Sequence, residues 1–169
     1  MNSLIDRFDI QLDLVVDTES RLAADAGDRA VAIDAARVAS LALAVDDTFG
    51  ERHKARRILV TEIAAALRLP ERTTETLIEY SRVLVSELPA TLAMLRSGAI
   101  SYRHASIMID QVAGLSPENR AELESKMLPK AVSLTAAQFG DRVRKARERL
   151  DESSISARHE KCVEYRAGF

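Results

Sequence analysis

Residues 60–109 read VTEIAAALRLPERTTETLIEYSRVLVSELPATLAMLRSGAISYRHASIMI, and the fold turns on how this stretch is divided. An Ala-rich helix runs into Leu69-Pro70, and a second helix with a polar start follows. Leu88-Pro89 opens a third helix, Ser97-Gly98 closes it, and Ser101 caps a fourth. The first two helices read as a helix-turn-helix. That motif needs a small residue in its first helix, so that the second can cross closely, and apolar residues one turn away on both. Ile63-Ala64, Leu67, Leu69, Thr74 and Leu77 stand at those positions. Pro70 suits the start of the second helix, where its missing N–H costs nothing. Two positions depart from the usual pattern. Thr74 replaces an aliphatic residue, and Arg68 stands where Gly is favoured because it accepts positive φ.

Such a motif presents Arg72 and Thr76 to base edges, with Arg82 further along the same helix. Glu71, Glu75 and Glu79 weigh against DNA: at i, i+4 and i+8 they form one acidic stripe, which repels phosphates. A helix pair inside an all-helical domain, without DNA, is the alternative reading.

Outward from this centre, the composition keeps the chain helical. Its 169 residues include only 6 Gly and 4 Pro, and 4% are aromatic. The length suits one domain or one domain with an extension. Cys162 is the only cysteine, which excludes an intramolecular disulfide and points to a reducing cytoplasm. No apolar run approaches the roughly 18 residues a membrane span needs, and the acids of MNSLIDRFDIQLDL do not suit a signal peptide. A net charge of −2 excludes a uniformly basic nucleic-acid binder. The distribution is uneven: residues 1–50 hold four Arg/Lys against ten Asp/Glu, and residues 51–103 hold nine against six.

Before the central stretch, Leu4, Phe8, Leu12, Val15 and Leu22 recur at helical spacing, and Asp6, Asp9, Asp13 and Asp17 lie off that stripe. Gly27-Asp28 reads as a break, followed by Ala30, Ile33, Val38, Leu41 and Val45. The expectation is a hairpin of two amphipathic helices over residues 1–47, its acidic face either solvated or part of a dimer or partner seam. Residues 48–169 then form the helix-turn-helix-like domain. ERHKARR, residues 51–57, starts its first helix, and His53 reads as exposed.

Beyond the central stretch, Ser116-Pro117-Glu118 starts a helix that Pro129 should kink or split. Thr135-Ala136-Ala137-Gln138 is a capping box. The helix it opens buries Phe139, Val143, Ala146 and Leu150 and carries Arg142, Lys145 and Arg149 on an outer stripe, either solvated or a phosphate track. Tyr102 and Arg103 could reach a phosphate beside the N-terminus of the helix that Ser101 caps. His104 reads as a packed, hydrogen-bonded histidine. His159 and Cys162 could share a face of a last helix over residues 155–165, but two ligands are too few for a structural zinc site.

Four blocks, EIAAALRLPERT, LPATLAMLRSGAISYRHASI, LESKMLPKAVSLTAAQF and LDESSISARHEKCVEYR, resemble the actinobacterial 13E12 repeat family. This is a domain of unknown function found ahead of HNH endonuclease modules. The resemblance spans about residues 61–166, and Gly98, Ile100, Ser101, His104 and Ala105 are its most distinctive part. The helix-turn-helix followed by LP, then GAIS and HA, is also similar to the DNA-binding region of ParB-type partition proteins. That similarity implies that residues 72–81 enter the major groove.

The nuclease chemistry does not carry over. An HNH site needs a general-base His, a positioning Asn and metal-binding His residues in a compact unit. His53, His104, His159, Asn2 and Asn119 lack that spacing. The 13E12 resemblance implies that more of the domain, and then a nuclease module, would follow Phe169. The expectation is therefore an all-α, non-catalytic, cytoplasmic module that targets double-stranded DNA. It has no metal, cofactor or small-molecule substrate, and homodimerisation remains open. Arg72 and Thr76 would approach bases, and Arg82, Arg103, Arg142, Lys145 and Arg149 phosphates. The alternative is a helical interaction or dimerisation scaffold that regulates the nuclease.

Overall fold

The computed structural model describes residues 2–43 and 48–150, and all of its regular structure is helical. The elements are α1 (Asn2–Ala42), α2 (Phe49–Leu67), α3 (Glu71–Glu87), α4 (Pro89–Arg96), α5 (Tyr102–Val112), α6 (Pro117–Ala131) and α7 (136–150). The all-α class is thus as the composition indicates. The expected last helix, with His159 and Cys162, and the 47/48 domain boundary lie outside the described residues.

The N-terminal hairpin is corrected. Residues 2–42 form one uninterrupted helix that passes straight through Gly27-Asp28. Gly27 serves a different purpose: a Cβ there would stand 2.6 Å from Cγ of Arg96 and 3.2 Å from its backbone nitrogen. Glycine lets the end of α4 press against α1 rather than breaking it. Next to it, Asp28 accepts a 2.6 Å hydrogen bond from Arg96. About two turns earlier on α1, Gly98 lies against Ser20, and a Cβ on Gly98 would be 2.7 Å from the Ser20 carbonyl oxygen.

Two apolar cores result. The larger draws Ala23 and Ala30 from α1, Leu84 from α3, Leu95 from α4, Met108 from α5, Leu123 and Met127 from α6, and Phe139 and Val143 from α7. The smaller joins Ile33 of α1, Leu59 and Val60 of α2, and Ile78 of α3. α1 therefore takes part in both. Ser40 reinforces its hold on α2 by donating to the Ala55 carbonyl at 3.0 Å.

The helix ends follow the residues that mark them. Thr48 caps α2 through its side chain, accepting from the Glu51 N–H at 3.3 Å, so α2 starts at Phe49, ahead of the ERHKARR segment. Leu69 N–H bonds the Ala64 carbonyl at 3.0 Å and Arg68 N–H bonds that of Ala65 at 3.3 Å, closing α2 in a Schellman motif. Arg68 takes the left-handed residue of that motif, at φ 54° and ψ 44°, the one non-glycine residue with positive φ among those described. Gly98 closes α4 in the same way at φ 73°, with Ala99 N–H bonded to the Met94 carbonyl at 3.0 Å.

The N-terminus of α4 is satisfied from a distance. The buried carboxylate of Glu124, on α6, accepts from Thr91 N–H at 2.6 Å and from its hydroxyl at 2.8 Å. Ser116 caps α6 by accepting from Asn119 N–H. Pro129 does not split α6, because it falls two residues before the helix ends at Ala131. Thr135 and Gln138 form the reciprocal capping box, at 3.3 and 3.1 Å.

Candidate nucleic-acid interface

α2 and α3 meet across the three-residue turn 68–70. Thr74 and Ala64 are buried between them, while Ile63, Leu69 and Leu77 are half-buried and Leu67 is exposed. Thr74 fits where an aliphatic residue is commoner because its hydroxyl bonds the Pro70 carbonyl at 3.2 Å, leaving its methyl to pack.

At about 100° per residue, the exposed part of α3 divides into two sectors. Glu71, Glu75 and Glu79 occupy one. Glu71 and Glu75 border a groove shared with Arg56 and Arg57 of α2, and Glu71 accepts from the Thr61 hydroxyl at 3.3 Å. The basic start of α2 thus stands across from the acidic stripe and offsets part of its field. Arg72, Thr73, Thr76 and Tyr80 occupy the other sector. With Arg29 of α1 and Tyr102 of α5 they border an open groove. The Arg29 guanidinium lies 6.0 Å from the centre of the Tyr102 ring, at the limit of a cation–π contact. Tyr80 donates to Asp110; that hydrogen bond, with burial adding to it, raises the phenol to about 12. Burial likewise raises Tyr102. Both rings are neutral hydrogen-bonding groups at neutral pH.

The groove gathers only part of the set read from the sequence. Arg72 and Thr76 are exposed and face it. The Thr76 hydroxyl donates to the Arg72 carbonyl at 3.1 Å, so its oxygen is left as an acceptor. Arg103 is exposed and follows Tyr102 in the first turn of α5.

Arg82 stands apart. It pairs with Glu79 and Glu87, each at 2.7 Å, and the Glu79 bond leads the causes that raise its pKa further. Glu87 also pairs with Arg120 of α6. Arg82 would have to leave two carboxylates to reach a phosphate.

Arg142, Lys145 and Arg149 are exposed on α7. Where α7 meets α5, a Cβ on Gly140 would lie 3.5 Å from Ile107 and Arg147 donates to the Ala113 carbonyl at 3.0 Å. The basic stripe lies about half a turn round α7 from that edge. None of the three borders the α3–α5 groove. Comparisons with family models, curated proteins and solved structures find no match to this chain.

His104 is engaged at both ring nitrogens. Nε2 lies 3.0 Å from the Leu134 carbonyl, which can only accept, so Nε2 carries the proton and Nδ1 accepts from the Ser101 hydroxyl at 2.8 Å. The ring packs against Phe139, 5.3 Å between centres. Ser101 therefore stands at the N-cap, as its position indicates, but spends its side chain on His104 rather than on the helix. Among the described residues no cluster of three or more His, Cys, Asp or Glu is placed to hold a metal ion, and no helix is long and apolar enough to cross a membrane.

Arg29 and Tyr80 escaped the sequence reading. Arg29 sits in the acidic N-terminal region, and nothing local marks it. Its place in the groove follows from α1 crossing α3 and α5, which is tertiary information. Tyr80 falls on the Arg72–Thr76 side of α3 by helical spacing alone, a signal that was there to use.

Proposed function

We propose that this chain is a non-catalytic module that binds double-stranded DNA, with α3 as the helix presented to the major groove. The observation that carries the proposal is the split of α3 into two sectors. Arg72 and Thr76 share an open groove with Arg29 and two tyrosines, while Glu71 and Glu75 border α2's arginines instead. Arg72 reads a guanine edge and Thr76 accepts from a base or a bound water. Arg29 and Arg103 hold phosphates. Arg142, Lys145 and Arg149 serve a separate stretch of backbone or none. By its resemblance to the 13E12 repeat family, the module belongs with an HNH nuclease and positions it on DNA in the cytoplasm.

Duplex binding measured against salt tests this. With the two phosphate contacts of Arg29 and Arg103, log K should fall with log salt at a slope of roughly −2. Arg103→Ala should reduce that slope by about 1, and Arg72→Ala should narrow the gap between sequences. A chain that fails to bind duplex DNA at low salt is not a DNA module.

A scaffold reading is favoured by a different observation, the apolar side chains exposed along the first half of α1.

A further inference from the structure

Residues 4–19 of α1 are exposed without exception. They extend about 24 Å as a single helix and contribute no residue to either core. Six of the eight large apolar side chains exposed there share one face, and Ile10 and Leu14 lie outside it. At about 100° per residue, Leu4, Ile5, Phe8, Leu12, Val15 and Val16 fall within one third of the circumference. They range from 50% exposed at Leu12 to 72% at Leu4. Only Glu19 intrudes on that sector. Asp6, Asp9, Asp13 and Asp17 form a row beside it, centred about a third of a turn from its middle.

The same sector continues into the second half of α1, where Ala23, Ala30 and Ile33 pack into the domain. The stripe is therefore a packing surface along its whole length, and the domain covers only its second half. An isolated helix of this length is marginal in water, so the first half requires a cover.

We infer that the cover is the same segment of a second copy of this chain, paired about a twofold axis. Three features select it. A twofold interface must complement itself, and an apolar stripe does so where a charged one does not. The row of aspartates lies off the seam in each copy, and Glu19 is the one acid that pairing carries into it. The area also suffices. At on the order of 100 Å² for each side chain, the stripe offers about 600 Å² per chain and about 1,200 Å² for the pair, where specific interfaces begin. A lipid surface fits less well, because interfacial helices carry Lys and Arg on their polar face and this one carries four aspartates.

Sedimentation of the full chain across the micromolar range tests the pairing. The mass should move from 18.6 kDa towards twice that as concentration rises. Phe8→Lys with Leu12→Lys should weaken association at least ~100-fold while leaving the helical signal intact, since both side chains are exposed in the monomer. Asp13→Lys, off the stripe, should associate as the unmodified chain does. Amide exchange over residues 4–19 of the unmodified chain should slow with concentration, which holds the inference to account even if a variant misfolds. A monomer throughout, exchange independent of concentration, or a monomer that floats with phosphatidylcholine vesicles overturns it. The pairing does not rest on DNA binding, and the two measurements fail separately.

Discussion

Replacing Gly98 by alanine should destabilise this protein by about 1.5–3.5 kcal/mol, from two sources that can be separated. The first is conformational. Gly98 sits at φ 73°, where a Cβ costs about 1 kcal/mol. The second is contact. The new Cβ would lie 2.0 Å from Ser20 Oγ and 2.7 Å from the Ser20 carbonyl oxygen. The hydroxyl can rotate away, but the carbonyl belongs to α1 and moves only if the α1–α4 crossing opens, an overpacking cost of about 1–3 kcal/mol. Lower entropy of the unfolded chain returns about 0.5 kcal/mol. For a chain of this size the midpoint of thermal unfolding should fall by roughly 5–12 °C. Gly114 supplies the control: its φ is 80°, but a Cβ there meets nothing within 4 Å. Gly114→Ala should therefore cost only the conformational part, about 1 kcal/mol. Urea unfolding of both variants gives the difference directly, and adding Ser20→Ala to Gly98→Ala should recover only a fraction of it. Equal losses in the two glycine variants would refute the close crossing of α1 over α4 as a source of stability.

Three further outcomes follow from the helix ends and one tyrosine. Glu124→Ala leaves the Thr91 N–H and hydroxyl without their acceptor in a site closed to water and should cost about 2–4 kcal/mol by urea unfolding. Glu124→Gln keeps one acceptor oxygen and should cost clearly less, so equal losses would count against the cap. Arg68→Gly relieves the left-handed residue of the α2 Schellman motif and should stabilise by up to about 1 kcal/mol in a thermal melt, whereas a loss would show that the arginine side chain contributes. Tyr80 has its folded pKa raised to about 12 from 10.0, so its hydrogen bond to Asp110 stabilises fully below pH 10.0 and is lost as pH climbs from there to about 12. Allowing for solvent screening at a partly exposed ring, the loss is about 1 kcal/mol. Phenolate absorbance should show a last ionisation near pH 12 that disappears in Tyr80→Phe, while the raised Tyr102 remains.

The local grammar of helix ends was legible and the path of α1 was not. Leu67, Pro70, Pro89, Gly98, Ser116 and the Thr135–Gln138 box all mark ends where the sequence places them, because capping depends on residues within one turn. Gly27 misled for the complementary reason. A glycine in a helical pattern signals either a break or a close approach, and only the position of Arg96, 69 residues away, decides between them. The apolar stripe of residues 4–16 was visible as a stripe, but its exposure was not, since periodicity says which residues share a face and nothing about what covers it. Of the candidate site, Arg72 and Thr76 could be read from their place on α3. The relief of the acidic stripe by Arg56 and Arg57 could not, because it depends on how α2 crosses α3. Nor could the absence of Arg142, Lys145 and Arg149 from that groove, which depends on where α7 packs.

α2 is held differently from its neighbours, and this governs how the molecule opens. Its 19 residues bury only Leu59, Val60 and Ala64, and its substantial contacts are with α1 and α3. The remaining helices close around the larger core without it. Its detachment is therefore the cheapest partial unfolding available to the domain, and its amides should exchange ahead of those of α5 and α6. Because α2 carries the arginines that face Glu71 and Glu75, each such opening also unmasks the acids of α3. A ligand bound to the α3 groove would then report on the docking of a helix it does not touch.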